Sequence, residues 1–382
     1  MGARKRDHPQ SFSYHEPWWR AYRLLGDYFG RLSAALSSGK QENRILVLEP
    51  TTSAWMYASP NGNNPRLDAI GAEFQDFVNR LERHQTHYDL GSENILRNYG
   101  SIVGKSLLVG ECRYDLVILP PGMENLDSST LSLVSKYLAA GGSLLAWTAP
   151  THVDGALDDR PSRLAEKYPE TCKNLKPGSD LGEIDRLNPP PLRFEKPEEI
   201  SGTLFHHCRN LKNARLVFLA NSSDRESSKG RFTAAAGSVE RWDPFTGEKT
   251  PYPASRTGKQ LRIGFNLPPG GSLLLCLQTA PGPVPGESAY TENIIGSSGA
   301  LTIRRESQNI LTLDYCDLTL GEKTERDLYF YEAQRRTFQH HGLDRNPWDS
   351  AVQFKTAILD RDRFPADSGF EAAFRFTVTP GV

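Results

Sequence analysis

Two acids, Asp89 and Glu93, are the first candidates for a catalytic or ligand-binding role. They follow a short predicted strand in the sequence YDLGSEN. Two carboxylates at the carboxyl edge of a sheet could form a polar cluster, but a turn that caps a helix is the more common explanation. No nucleophile–base pair accompanies them. An intact hydrolase with its site around Glu49, Asp89 and Glu124 is therefore the weakest functional hypothesis.

Two histidine pairs, His206–His207 and His340–His341, raise the question of a metal site. Adjacent residues point to opposite faces of a strand and diverge on a helix, so one ion cannot easily bind both members of a pair. The five cysteines are odd in number and lack zinc-site spacing. We therefore predict structural or surface histidines, no metal and no cofactor.

The pattern of apolar residues predicts three kinds of structure along the chain. Residues 18–36 show apolar spacings of three and four, typical of an amphipathic helix that Pro17 begins and Gly39 ends. Buried strands without alternation, such as residues 107–109 and 116–119, then interleave with helices and indicate a flavodoxin-like α/β domain. Beyond residue 201, short strands with Gly, Pro and Asn-Ser turns indicate an antiparallel β-sandwich.

Charge and hydropathy exclude two classes of partner. The 45 Lys and Arg residues balance 46 Asp and Glu, for a formal net charge of -1. No global field therefore favours nucleic acid, and no apolar run has the length of a membrane span. We predict neither a nucleic-acid nor a membrane partner. We predict no signal peptide in this chain, and the compartment stays open, with a secreted or periplasmic parent protein as one option.

Several stretches resemble glycoside hydrolases. YDLVILPPGMENLDSSTLSLVSKYLAAGGSLLAW is similar to the class I glutamine-amidotransferase-like domain that follows the catalytic barrel in such enzymes, which family 42 β-galactosidases use for trimerisation. NARLVFLANSS and VERWDPFTGEKTPY resemble the small sandwich of the α-L-rhamnosidase-like proteins of family 106. NILTLDYCDL and NPWDSAVQFKTAI resemble the galactose-binding-like β module that comes next there.

This resemblance implies a domain organisation. The sequence EPWWRAYRLLGDYFGRLSAALSSGK is similar to the point where a (β/α)₈ barrel ends. The implied parts are the last helix of a truncated barrel (1–40), an amidotransferase-like α/β domain with a long polar excursion (41–200), a β-sandwich (201–280), a Pro/Gly linker (281–298) and an incomplete β-sandwich module (299–382).

The implied function is that of a C-terminal accessory part of a glycoside hydrolase. Glycosidase carboxylates lie at barrel strand ends, so we expect no catalytic residue in this chain. His15, Glu16, Trp18 and Trp19 would then lie on a loop at the catalytic face, where the acid could bind sugar hydroxyls and an indole could stack on a pyranose ring. Alternatively, Glu16 only stabilises the amino end of the helix through the helix dipole, and the tryptophans pack between the helix and a domain.

The resemblance also sets the expected partners and the rival hypotheses. The partners would be a carbohydrate, bound through the barrel, and further copies of the chain. Amidotransferase chemistry is not expected, because LPPGMEN carries no nucleophilic cysteine after its strand. The main alternative is a stand-alone carbohydrate-binding or assembly module that uses exposed aromatics such as Trp242 and Trp348. A family-42-like trimerisation region is the second alternative.

Overall fold

The computed structural model of this protein describes residues 19–41, 43–60, 64–176, 178–286, 296, 298–300, 313–343 and 368–378. The chain divides into two compact units, Met1–Tyr290 and Thr291–Val382. No described helix has both the length and the apolar character needed to cross a membrane.

The first unit contains seven α-helices and twenty strands among its described residues. A 3-10 helix (Trp19–Ala21) precedes the first of them. In chain order they are α1 (Tyr22–Ser37), β1 (Ile45–Leu48), α2 (Thr51–Trp55), α3 (Pro65–Arg83), β2 (Asp89–Gly91), α4 (Glu93–Tyr99), β3 (Gly100–Val103), β4 (Ser106–Val109), β5 (Cys112–Tyr114), β6 (Leu116–Leu119), β7 (Asn125–Leu126), α5 (Ser128–Ala139), β8 (Ser143–Ala146), β9 (His152–Val153), β10 (Ala156–Leu157), α6 (Leu164–Lys167), β11 (Cys172–Asn174), α7 (Gly182–Leu187), β12 (Leu192–Phe194), β13 (Leu204–Asn210), β14 (Ala214–Asn221), β15 (Ser228–Ala235), β16 (Ser238–Trp242), β17 (Lys249–Pro251), β18 (Ser255–Thr257), β19 (Gln260–Leu267) and β20 (Ser272–Gln278).

A five-stranded parallel sheet forms the centre of the α/β part, in the order β11-β8-β6-β1-β2. Counted along the chain, the spatial order of its strands is 2-1-3-4-5. Both faces are covered: Ile45 and Val47 belong to the core cluster that contains Phe77 of α3, and Leu46 and Leu48 belong to the cluster on the other face. Continuous apolar strands are expected when helices cover both faces of a sheet.

Two small three-stranded sheets, one antiparallel and one mixed, accompany the parallel one. They are β3-β4-β5 and the mixed sheet β10-β9-β7. The sequence places a strand at residues 107–109 but does not reveal that it belongs to a hairpin sheet of its own. The polar stretch 151–200 also contributes β11 to the parallel sheet.

A sandwich of two sheets, β12-β15-β19-β18 and β13-β14-β20-β16-β17, occupies the rest of the first unit. All pairings within both sheets are antiparallel. Alternate residues of the facing strands share one core, with Phe232 and Ile263 from one sheet and Val217 and Leu275 from the other. The sandwich takes in β12, which the predicted boundary at residue 200 assigns to the preceding domain.

The carboxyl half of α1 packs on the outer face of this sandwich. Ala35 is buried there against Leu216 and Leu274. The Arg209 guanidinium donates hydrogen bonds to the carbonyl oxygens of Ser38 (2.8 Å) and two neighbouring residues at the helix end. Gly39 has φ +62°, and a Cβ there would lie 2.2 Å from the Asn210 carbonyl oxygen. Only glycine therefore lets the chain leave the helix so close to β13.

The amino half of α1 is largely uncovered. Leu24, Leu25 and Phe29 are each about half exposed. Contacts from the described part of the chain thus account for only part of the apolar surface of the helix. The assignment of α1 to a barrel stays a prediction.

The second unit has a three-stranded antiparallel sheet and one helix among its described residues. The sheet order is β22-β21-β23, and Cys316, Leu318 and Ala333 form its small core. Its elements are β21 (Tyr315–Leu320), β22 (Lys323–Tyr329), α8 (Phe330–His340) and β23 (Glu371–Ala373).

Candidate functional site

The carboxyl end of the parallel sheet is the first place to look for a site, because open α/β sheets bind ligands there. Glu93, the first residue of α4, is buried at this end. Its carboxylate accepts hydrogen bonds from Thr52 Oγ1 at 2.5 Å and from the Asp127 backbone N–H at 2.7 Å. Burial raises the pKa of Glu93, and the hydrogen bond from Thr52 partly opposes the shift.

Glu124, in the loop after β6, forms a second acidic group at this end. It accepts hydrogen bonds from the Tyr57 hydroxyl and from Arg66 Nε, each at 2.6 Å. Arg66 also donates to Glu73 at 2.9 Å. The Glu124 carboxylate raises the pKa of Tyr57 through this hydrogen bond. Both oxygens of Glu124 thus already have partners within the chain.

The Ser53 hydroxyl at this end binds backbone N–H groups and is not paired, among the described residues, with a base as an activated nucleophile would be. Ser53 is fully buried, and its Oγ accepts the backbone N–H groups of Glu124 (2.8 Å) and Asn125 (2.9 Å). Thr151 and His152 form an exposed hydroxyl–imidazole contact of 3.0 Å between sequence neighbours. The Ser53 contacts tie α2, which follows β1, to the loop after β6. They support a structural role for the polar residues of this end.

The two acids singled out in the sequence bind separate partners. Asp89 lies within β2 opposite Leu46, two residues before the strand ends. It accepts hydrogen bonds from Asn43 at 2.7 Å and from the Tyr114 hydroxyl at 2.8 Å. The residue at the capping position of α4 is Ser92, which makes no side-chain capping bond. Neither a joint acidic cluster nor a side-chain cap explains these acids.

Of the four candidate sugar-binding residues, the structure describes Trp19. His15, Glu16 and Trp18 lie outside the described residues. Trp19 is 46% exposed and packs edge-on against Tyr22, with 5.9 Å between ring centroids. A sugar contact by these four residues stays a prediction.

The other tryptophans differ in exposure. Trp242 packs beneath α1, and Lys249 Nζ lies 3.8 Å from its ring centroid. Trp348 lies outside the described residues. Trp55, at the end of α2, is 63% exposed at the carboxyl end of the sheet. Sequence reasoning missed this indole, although a tryptophan a few residues beyond a buried strand is a usable signal.

The sandwich carries an open groove of about 920 Å³. Charged and apolar residues both line it, and Tyr252 contributes an aromatic ring whose hydroxyl donates to the Gly264 carbonyl at 3.0 Å. Arg262 and Glu195 form a double hydrogen bond beside it, at 2.5 and 2.7 Å. This mixed lining is compatible with a hydroxyl-rich ligand.

Comparisons with known proteins give a likeness in fold. No family model matches the chain, and no curated protein matches its sequence. A rhamnosidase from Novosphingobium sp. PP1Y matches 81% of this chain and 28% of its own, with a TM-score of 0.53 and 16% identity. A β-galactosidase from Bacillus circulans sp. alkalophilus matches 69% and 46%, with a TM-score of 0.41 and 13% identity.

A catalytic mutant of Gan42B, a GH42 β-galactosidase from G. stearothermophilus, matches 68% of this chain and 44% of its own, with a TM-score of 0.44 and 11% identity. The chain thus spans between 28% and 46% of the length of these three structures. Its structural neighbours are glycoside hydrolases, and its mixed α/β architecture with several antiparallel sheets is compatible with their multidomain fold. Of the three, only the rhamnosidase is similar enough to support an argument, and that argument concerns fold.

Proposed function

We propose that this chain is a non-catalytic accessory part of a glycoside hydrolase similar to α-L-rhamnosidases. Its role would be to brace a catalytic barrel and shape the rim of the substrate cleft. The observation that carries this proposal is the extent of the likeness: 81% of this chain matches 28% of a rhamnosidase. A match of this kind is expected when one region of a large enzyme corresponds to the whole of a shorter chain.

The α/β part would serve as a scaffold of the flavodoxin or amidotransferase type. Its parallel strand order of 2-1-3-4-5 supports this assignment. The acids at its carboxyl end bind internal partners, which supports a scaffold rather than a site. We keep the predicted division into parts 1–40, 41–200, 201–280, 281–298 and 299–382 as a proposal, with β12 moved to the sandwich.

Two exposed apolar surfaces would face the barrel in this proposal. One is the amino half of α1, with Leu24, Leu25 and Phe29, and the other is Trp55. Exposed apolar patches often mark contacts with another domain. His15, Glu16, Trp18 and Trp19 would lie nearby and contact the sugar.

Two measurements test the proposal. Purified protein should release no nitrophenol from a panel of aryl glycosides that includes α-L-rhamnosides and β-D-galactosides. An antibody raised against the chain should detect, in the source cells, a polypeptide much longer than 382 residues. Turnover that Glu124→Gln abolishes would contradict the non-catalytic role. A native polypeptide of only 382 residues would contradict the accessory role.

A carbohydrate-binding module is the second candidate, and the groove in the sandwich supports it. Lys229 lines the groove from β15. If the groove binds a polysaccharide, Lys229→Ala should weaken saturable binding in affinity electrophoresis, whereas Lys136→Ala on α5 should not. No retardation by any polysaccharide of a broad panel would remove this candidate. A family-42-like trimerisation role stays a prediction, which sedimentation equilibrium can check.

A further inference from the structure

Three soft donor groups meet where the α/β part joins the sandwich. His87 lies in the loop between α3 and β2, and His206 and Cys208 lie two residues apart on β13. Residues at this spacing share one face of a strand. The possible ligand atoms of the three side chains all lie within 4.8 Å of one another. We propose that His87, His206 and Cys208 form a binding site for a Zn²⁺-like transition metal ion.

The spacing is close to that of a tetrahedral site. His87 Nε2 and His206 Nε2 lie 2.9 Å apart. With Zn–N near 2.1 Å and Zn–S near 2.3 Å, tetrahedral ligand atoms are about 3.4 to 3.7 Å apart. The two imidazoles would therefore open by roughly 0.5 Å, and the thiol would approach by about 1 Å at most. Small side-chain rotations are enough, and solvent can take the fourth position.

A second residue orients one of the ligands. His206 Nδ1 lies 2.8 Å from Gln85 Oε1. Gln85 Nε2 donates to the carbonyl oxygens of Glu82 (2.7 Å) and Leu204 (2.9 Å), so its Oε1 is the atom that faces the histidine. An amide oxygen only accepts, so His206 Nδ1 carries the proton and Nε2 presents a lone pair. Metal-bound histidines characteristically have such a partner.

The backbone at Gln85 is also unusual. This buried residue has φ +58°, a left-handed conformation that costs free energy for a residue other than glycine. The strain aims the amide at His206 and ties the loop to β13. A buried and strained glutamine that fixes an imidazole tautomer is an arrangement suited to ligand binding.

Metal binding would rearrange the protons of the cluster. Because His206 Nε2 accepts the hydrogen bond between the two rings, His87 Nε2 carries a proton in the metal-free protein. Binding would break this hydrogen bond, shift the His87 proton from Nε2 to Nδ1, replace the thiol proton of Cys208 with the metal and release that thiol proton to solvent.

The test uses the full chain after treatment with EDTA. Titration with Co²⁺ should show one equivalent bound, with the visible bands of tetrahedral cobalt and a thiolate-to-cobalt charge-transfer band, and Zn²⁺ should bleach both. Cys208→Ser should remove the charge-transfer band, and His206→Gln should weaken binding at least 100-fold. Gln85→Leu should weaken it about 10- to 100-fold.

Matched controls come from the same protein. His207→Gln, on the opposite face of β13, and Cys112→Ser, at an exposed cysteine, should leave the titration unchanged. If Cys208→Ser does not fold, X-ray absorption on the zinc-loaded wild-type protein replaces it and should show one sulfur together with nitrogen or oxygen ligands that include imidazole. Absence of stoichiometric binding, a band that survives Cys208→Ser, or a shell without sulfur would overturn the proposal.

Discussion

The two ends of the parallel sheet carry different kinds of polar side chain. At the carboxyl end, Glu93 and Glu124 are bound by hydroxyl, guanidinium and backbone donors of the same chain. At the amino end, where β13 joins, His87, His206 and Cys208 face one another. Ligands of such sheets usually bind at the carboxyl end. The metal site that we propose lies at the opposite end, and we infer it from its set of donor atoms and not from its position in the fold.

The amino end itself contains two contrasting histidines. The Asp185 carboxylate lies 3.3 Å from His84 Nε2 and raises the pKa of that histidine. His87, three residues on, has a lowered pKa because it is buried. Stability at this end should therefore depend on pH in two opposite ways.

Acidification of the protein in EDTA should lower its free energy of unfolding more than the changes described below at Glu93, His84 and Trp55. The folded pKa of His87, about 4, lies below its ordinary value of 6.5, so the unfolded chain takes up the proton first. The contribution of neutral His87 to stability is fully present above pH 6.5 and is lost as the pH falls through 4. Over this range the free energy of unfolding should fall by on the order of 3 kcal/mol. Urea unfolding of wild type and His87→Gln across this range measures it. The same pH slope in both proteins would contradict it.

At the carboxyl end, Glu93→Ala should lower the free energy of unfolding by about 2 to 3 kcal/mol. The substitution leaves the Thr52 hydroxyl and the Asp127 N–H without their buried acceptor. Glu93→Gln keeps one acceptor oxygen and should cost about half as much. Urea unfolding at neutral pH compares the two variants. A loss below about 0.5 kcal/mol for Glu93→Ala would show that the cluster is not structural.

A smaller effect is expected at His84. Its folded pKa is raised, so its ion pair with Asp185 stabilises the protein below the ordinary value of 6.5 and loses this effect as pH rises through the folded pKa. Because Asp185 is partly exposed, the contribution should be about 1 kcal/mol or less. Asp185→Asn should remove this part of the pH dependence of the free energy of unfolding. The loss of stability at acid pH that we assign to His87 should stay unchanged. An unchanged profile would exclude the pair as its cause.

The smallest expected effect is that of Trp55→Ala. With 63% of the residue exposed, its loss should change the free energy of unfolding by less than about 0.5 kcal/mol. Trp147, buried near the same end of the sheet, provides the comparison, and Trp147→Ala should cost about 3 kcal/mol or more. Thermal unfolding followed by circular dichroism measures both. A large cost for Trp55→Ala would place the indole in the core rather than at a contact surface.

Local sequence pattern predicts part of the fold. Strands β1, β6 and β8 are visible because their apolar runs are continuous, and α1 is visible from its three- and four-residue spacing. The pattern does not reveal which sheet covers which helix, so the packing of α1 on the sandwich could not be derived. The sequence pattern places Asp89 after the strand, whereas it is the first residue of β2. The local pattern does not fix this position, because it depends on the register of β2 against β1.

The candidate metal site cannot be predicted from the sequence, for a different reason. The sequence correctly indicates that His206 and His207 diverge, but it does not indicate that His87, 119 residues away, meets His206. One local signal was available. The His-x-Cys spacing of His206 and Cys208 places two ligands on the same face of a strand.

The seating of α1 on the sandwich has a consequence for synthesis. The hydroxyls of Tyr28 and Ser272 lie 2.9 Å apart across 244 residues of chain. At 5 to 20 residues per second, a ribosome needs on the order of 10 to 50 seconds to supply the strand that this helix rests on. During that interval the parallel sheet can fold, while the carboxyl half of the newly made helix still lacks the sandwich strands that cover it. We expect a chaperone that binds nascent chains to engage this part of the helix until those strands are made.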